Sequence, residues 1–193
     1  MASINAPAKT ITKPKTHSKS ISLELFLSAY SDMEDGFKYE WNNGFVEKTT
    51  AMNQEQSTIF LLLSRLFCKT KAFEAYGGLT AETDMMTSKV QLRRPDISFY
   101  SGSQIKKMKK GQNQVPKWVA EVISESDNIN RVEAKLDEYF AAGVKIVWHI
   151  FPVSKKVYVY TAPDKVTICM DITICSGAPV LPDFELSAKE LFS

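Results

Sequence analysis

The stretch Trp118-Val119-Ala120-Glu121-Val122-Ile123 decides the fold when it is read together with two later segments, a helix-patterned one over 129–142 and a second apolar run over 144–151. The first run is almost continuously hydrophobic, the pattern of an interior strand covered on both faces. In the segment between the runs, Val132, Leu136, Tyr139 and Phe140 recur at helical spacing, and Gly143 stops the helix. Strand, helix and strand in that order form a βαβ crossover, which requires parallel pairing of its two strands. An α/β domain with a mixed central sheet flanked by helices is the expected architecture.

Glu121 is out of place in such a run, and Asp96 in Pro95-Asp96-Ile97-Ser98-Phe99 is equally so. A carboxylate in a buried strand must be paired or must hold a metal, because unpaired burial is costly. Pro95 removes a backbone donor and starts its strand, which puts Asp96 near the strand end. Two carboxylates at the ends of core strands, followed by a helix that carries Lys135, point to a metal-dependent hydrolytic site. Mg²⁺ takes hard oxygen ligands and keeps several waters, so one or two carboxylates and a carbonyl suffice. A buried salt bridge to Arg93, Arg94 or Lys135 would explain the same residue types. Lys135 lies between Val132 and Tyr139, beside the buried stripe; its head either reaches a water or a phosphate oxygen, or snorkels into solvent. Arg131 precedes it by one turn. Glu40 supplies an outer carboxylate for the metal or is a solvated strand residue.

Outward from these segments, 193 residues allow one domain with a proper core. The hydrophobic fraction of 44% and the charged fraction of 24% are those of a water-exposed globular fold. Apolar runs fall short of the ~18 residues that span a bilayer. The first twenty residues carry Lys9, Lys13, Lys15 and Lys19 without an apolar core segment, so 1–20 reads as a flexible basic tail and 21–193 as a single domain. Three cysteines and two histidines show no zinc spacing, and a reducing cytoplasm is the expected compartment. A net charge of +2 is too small to argue for nucleic acid alone.

The remaining elements are read from local signals. Ser22 caps a short helix with Leu23, Phe26, Leu27 and Tyr30, which ends before an acidic turn over 32–36. Asn43-Gly44 between aromatic and β-branched residues is a hairpin turn. A single long helix is expected over 53–73, and one strand over 79–86 with Glu82 and Asp84 on one face. Residues 101–111 form a polar excursion or short helix whose Lys106, Lys107, Lys109 and Lys110 either touch a nucleic-acid backbone or are solvated. Ser124 and Asp127 are helix caps, and His149 is a hydrogen-bonded core histidine. Residues 157–160 alternate as an outer strand, two short strands come next over 166–170 and 172–174, and a last helix spans 187–192. No glycine-rich phosphate loop, serine triad or zinc motif is present.

Six segments together resemble a known family. They are Tyr39-Glu40-Trp41-Asn42-Asn43-Gly44, Arg94-Pro95-Asp96-Ile97-Ser98-Phe99, Glu121-Val122-Ile123-Ser124, Lys135-Leu136-Asp137-Glu138-Tyr139, Ala142-Gly143-Val144-Lys145-Ile146-Val147-Trp148 and Val180-Leu181-Pro182-Asp183-Phe184. In order and spacing, over residues 22–192, they are similar to the "putative restriction endonuclease" domain family of the PD-(D/E)XK nuclease superfamily. The resemblance implies a restriction-endonuclease-like core and a Mg²⁺- or Mn²⁺-dependent endonuclease that cleaves DNA. It further implies Asp96 and Glu121 as metal ligands and catalytic residues, with the Val122 carbonyl as a further ligand. The superfamily places a lysine two residues after the glutamate; that position is Ile123 here, and Lys135 is the substitute. The alternative is a catalytically degenerate member of the same fold that binds nucleic acid or a protein partner. A homodimer suits an enzyme that cuts two strands.

Overall fold

Parallel pairing of the two apolar runs organises the structure. In a computed structural model that describes residues 20–30, 33–125 and 127–193, β7 (Trp118–Val122) lies beside β8 (Ile146–Phe151), with Trp118 opposite Ile146 and Glu121 opposite His149. Between them runs α5 (Ile129–Ala142), entered through Asn128, whose side chain accepts from Arg131 N–H, and closed by Gly143 at φ +100°. That dihedral suits a residue without Cβ. The cap is Asn128 rather than Ser124 or Asp127.

The pair sits inside a six-stranded sheet in the order β10 (Lys165–Cys169), β9 (Lys156–Ala162), β8, β7, β6 (Ile97–Tyr100), β3 (Gly78–Ala81). Every other pairing in it is antiparallel, so the sheet is mixed as expected. Alternation along β7 and β8 separates two cores. Trp118, Ala120, Val122, Ile146, Trp148 and Ile150 face one side with α2 (Gln54–Phe67), while Val119 and Val147 lie under Leu136 and Tyr139 of α5.

A smaller sheet has the order β2 (Phe45–Thr50), β1 (Phe37–Asn42), β5 (Gln91–Arg93), β4 (Met85–Ser88). Asn43 at φ +49° and Gly44 at φ +85° make the expected hairpin turn between β1 and β2. On β1, Tyr39 and Trp41 point to α1 (Leu23–Tyr30) and pack on Phe26 and Tyr30. Lys38 and Glu40 therefore point the other way, toward the larger sheet.

Four expectations are corrected. The helix over 53–73 is two, because Thr70 caps α3 (Lys71–Glu74) by accepting from Phe73 N–H. The strand over 79–86 breaks at Glu82, which adopts φ +46°, so β3 joins the larger sheet and β4 the smaller. The strand around 157–160 is not outer, since β9 lies between β8 and β10 with Val157 and Val159 buried. The end of the chain holds a further hairpin, β11 (Ile174–Gly177) with β12 (Leu181–Ser187), before α6 (Ala188–Leu191). The lysine tail over 1–19, Asp32 of the acidic turn and Ser126 lie outside the described residues.

The cysteines Cys68, Cys169 and Cys175 are free thiols. Among the described residues no helix is long and apolar enough to cross a membrane. Phe184 of β12 is fully buried among Trp118, Trp148 and Phe67, with ring centroids at 5.5, 5.7 and 6.3 Å. Phe184→Ala is expected to destabilise the fold by about 3–5 kcal/mol in urea denaturation, the range for emptying a large aromatic site. A loss below about 1 kcal/mol would contradict this packing.

Candidate active site

At the carboxyl end of β7 the chain opens a cleft of about 650 Å³. Lys38, Gln56, Asp96, Glu121, Val122 and Lys135 line it, with Lys48 and Arg131 also on its wall. In open α/β sheets the carboxyl end of parallel strands is the usual ligand position.

Four separate elements deliver these groups. Asp96 stands just before β6, where Ile97 pairs with Ala120 of β7, and its Oδ2 accepts the main-chain N–H of Val122 at 2.7 Å. Its Oδ1 meets the ammonium group of Lys38. Glu121 projects on the α5 side of β7, where Tyr139 OH donates to its Oε1. One turn earlier on α5, Lys135 places Nζ 2.8 Å from Glu40 Oε1 and 3.7 Å from Glu121 Oε1. None of these contacts uses Glu121 Oε2. From α2, Gln56 Nε2 donates to the Val122 carbonyl at 3.0 Å.

Glu40, fully buried, is the most heavily solvated by protein. Its oxygens accept from Lys135 Nζ at 2.8 Å, Arg94 N at 3.0 Å, Arg131 Nη2 at 3.2 Å and Arg93 Nη1 at 3.3 Å. Arg93 is in turn gripped by both oxygens of Glu138, at 2.6 and 2.7 Å, and by Glu47 at 2.6 Å. Burial alone would raise the Glu40 pKa, but Lys135, Lys38 and Arg93 outweigh it and hold the carboxyl down at about 2. At Glu121 burial prevails over Lys135 and Lys38, with Asp96 adding repulsion, and its pKa is raised. Lys38 is the mirror case: burial disfavours its charge, yet Asp96, Glu121 and Glu40 hold it firmly protonated.

The structure thus brings Asp96, Glu121, Val122 and Lys135 to one cleft. Of the salt-bridge partners that the residue types suggested, Lys135 lies near Glu121 at 3.7 Å, while Asp96 is paired with Lys38 instead; Arg94 Nε goes to Asp84 at 2.6 Å. Sequence reasoning missed Lys38, Gln56 and Tyr139. The exposed Lys106, Lys107, Lys109 and Lys110 lie on or just after α4 (Gly102–Met108), which leaves the far end of β6 from Asp96. A four-residue strand at about 3.3 Å per residue separates them from the cleft end of the sheet. His149 is buried as expected, but its Nε2 has no hydrogen-bond partner; it packs on the ring of Tyr160 at 5.0 Å, and burial lowers its pKa to about 4.

The resemblance noted in the sequence implies a divalent ion, and the donor chemistry of these residues fits one. Asp96, Glu121 and the Val122 carbonyl are hard oxygen donors, enough for an ion that keeps waters. Glu40 stands apart from them: it is not among the residues that line the cleft, and its oxygens are met by Lys135, Arg93 and Arg131 together. Among the described residues no group of three or more His, Cys, Asp or Glu could hold an ion.

A family model described as "Putative restriction endonuclease", Uma2, matches residues 23–189. The chain belongs to the Uma2 family. Membership supports a nuclease-like function. A solved structure from Anabaena variabilis, described as "a putative nuclease belonging to DUF820", is similar to the Uma2 chain with a TM-score of 0.75 and 19% identity. That likeness covers 89% of this chain and 97% of the other, and at this identity it shows the fold. No curated protein matches the sequence.

Because the Glu40 pKa is depressed, its ionic contribution is present above the ordinary glutamate value of 4.5 and is lost as pH falls toward about 2. Glu40→Gln is expected to cost about 3–5 kcal/mol at neutral pH, the range for breaking a buried ion pair from one side. It should also flatten the loss of stability between pH 4.5 and about 2. Urea denaturation of both proteins across that interval checks this; parallel pH profiles would contradict it.

Proposed function

We propose that this Uma2 protein is an endonuclease that hydrolyses phosphodiester bonds of DNA with Mg²⁺ or Mn²⁺ held by Asp96, Glu121 and the Val122 carbonyl. The observation that carries the reading is the hydrogen bond from Val122 N–H to Asp96 Oδ2 at 2.7 Å, which fixes the Asp96 carboxylate against β7 next to Glu121, on the cleft that both residues line. When bound, such an ion supplies Lewis acidity toward water and phosphate.

The chain's own groups do the rest. Tyr139 holds Glu121 by one oxygen, and Gln56 fixes the peptide that carries the Val122 carbonyl. Lys135, anchored by Glu40, presents a fixed ammonium group to charge that develops on the phosphate. Glu40 is then a positioning residue rather than a metal ligand. Arg131 and Lys48 on the cleft wall suit the phosphates on either side of the cut. A homodimer would let two such clefts act on opposite strands.

A second reading keeps the fold without turnover, as a module that binds nucleic acid or a protein. It is favoured by the charge balance of the site, where Asp96 already meets Lys38 and Glu40 already meets Lys135, Arg93 and Arg131.

Plasmid nicking with Mg²⁺ tests the choice. Asp96→Ala, Glu121→Gln and Lys135→Met are each expected to reduce the rate by about 10²–10³-fold, the range for losing one group that stabilises transition-state charge. Cleavage that survives the first two changes removes the proposed site, and the absence of cleavage by the wild type favours the second reading.

A further inference from the structure

Lys38 has no part in that reading, although its ammonium group is the cation that Asp96 contacts. Of the two Asp96 oxygens, Oδ2 is committed to Val122 N–H, a main-chain donor that a metal cannot displace without disturbing the sheet. Oδ1 is the oxygen left to the cleft, and Lys38 Nζ sits on it. Lys38 is 5% exposed. Its position is imposed by β1, which is pinned on its other face by Tyr39 and Trp41 against α1. Asp96, Glu121 and Glu40 all act on this ammonium group. A small hard cation would be drawn to the same Asp96 oxygen.

We propose that Lys38 and a divalent metal ion are alternative occupants of one cation position at Asp96 Oδ1, so that Lys38 sets the metal affinity of the site. The inference rests on the nuclease reading for the existence of a metal site and goes beyond it in naming what the metal must displace. Two cations a few ångströms apart in a half-dry cleft repel strongly. The four-carbon stem of a lysine lets its head withdraw toward the open side of the cleft when the ion arrives. Lys135 is placed differently, since its nearest carboxylate oxygen is Glu40 Oε1 at 2.8 Å. Lys38 is therefore a positioning residue that acts through Asp96.

Calorimetric titration of the full chain with Mn²⁺ alone tests this. Lys38→Met is expected to bind Mn²⁺ about ten-fold or more tightly than wild type, because a like charge is removed. Lys38→Arg, which keeps the charge, is expected to bind no more tightly than wild type. Adding Asp96→Asn to Lys38→Met should abolish the gain. If Lys38→Met does not fold without metal, recovery of its far-ultraviolet circular dichroism by Mn²⁺ supports the exchange and lack of recovery overturns it. Equal or weaker binding by Lys38→Met, or a gain by Lys38→Arg as large as that of Lys38→Met, overturns the exchange while leaving the metal site in place. No Mn²⁺ uptake by wild type or variants overturns both.

Discussion

Among the described residues three carboxylates, on Glu40, Asp96 and Glu121, are buried, and the arrangement around them is set by the need to offset their charge. An ionised group out of water needs opposite charge and hydrogen bonds close by. The smaller sheet supplies Lys38 and Arg93, α5 supplies Lys135, Arg131 and the Tyr139 hydroxyl, and β7 supplies a main-chain N–H. Apart from Tyr139–Glu121, which joins the consecutive β7 and α5, these contacts join elements that do not follow one another in the chain. The smaller sheet is thereby tied to the larger one through charge as well as through packing. Well-packed apolar residues of equal volume would often hold such elements together as firmly. Stability alone therefore gives no reason for the network, and the proposed metal-binding role supplies one.

The parts of the fold that could be read from sequence are those with a strong local signal. A continuous apolar run, a helical stripe ended by glycine and an Asn-Gly turn each carry their own physical reason, and together they account for β7, α5, β8 and the β1–β2 hairpin. What could not be read depends on pairing across the chain. Lys38 and Asp96 are 58 residues apart and meet because β1 brings Lys38 to the cleft that Asp96 also lines. A signal for Lys38 did exist: it stands two residues before Glu40, so strand alternation puts both on one face. Next to exposed Phe37 it still resembles an ordinary solvated lysine. Gln56 was hidden in a capping box with Asn53, where its second role at the Val122 carbonyl leaves no trace in sequence. The hairpin at the end of the chain was masked by Pro182, Asp183 and Glu185, polar or turn-forming residues on a strand whose buried apolar positions are Leu181, Phe184 and Leu186.

Ile123 shows how the site departs from the pattern it resembles. At the position where the superfamily carries a lysine, the isoleucine is half-buried and its N–H extends the sheet to Ile150 O at 2.8 Å. The cations come instead from β1 and from α5, on either side of the carboxylate pair. Positive charge in the cleft is thus retained although the motif that usually supplies it is not, which is why site chemistry has to be argued from converging atoms rather than from fold.

The most direct test is anomalous diffraction from crystals soaked in Mn²⁺. The expected result is a single strong peak within about 2–2.5 Å of oxygens from both Asp96 and Glu121, with the Lys38 head group moved off Asp96 Oδ1. A map with no peak in this cleft, and Lys38 still seated on Asp96, would contradict it.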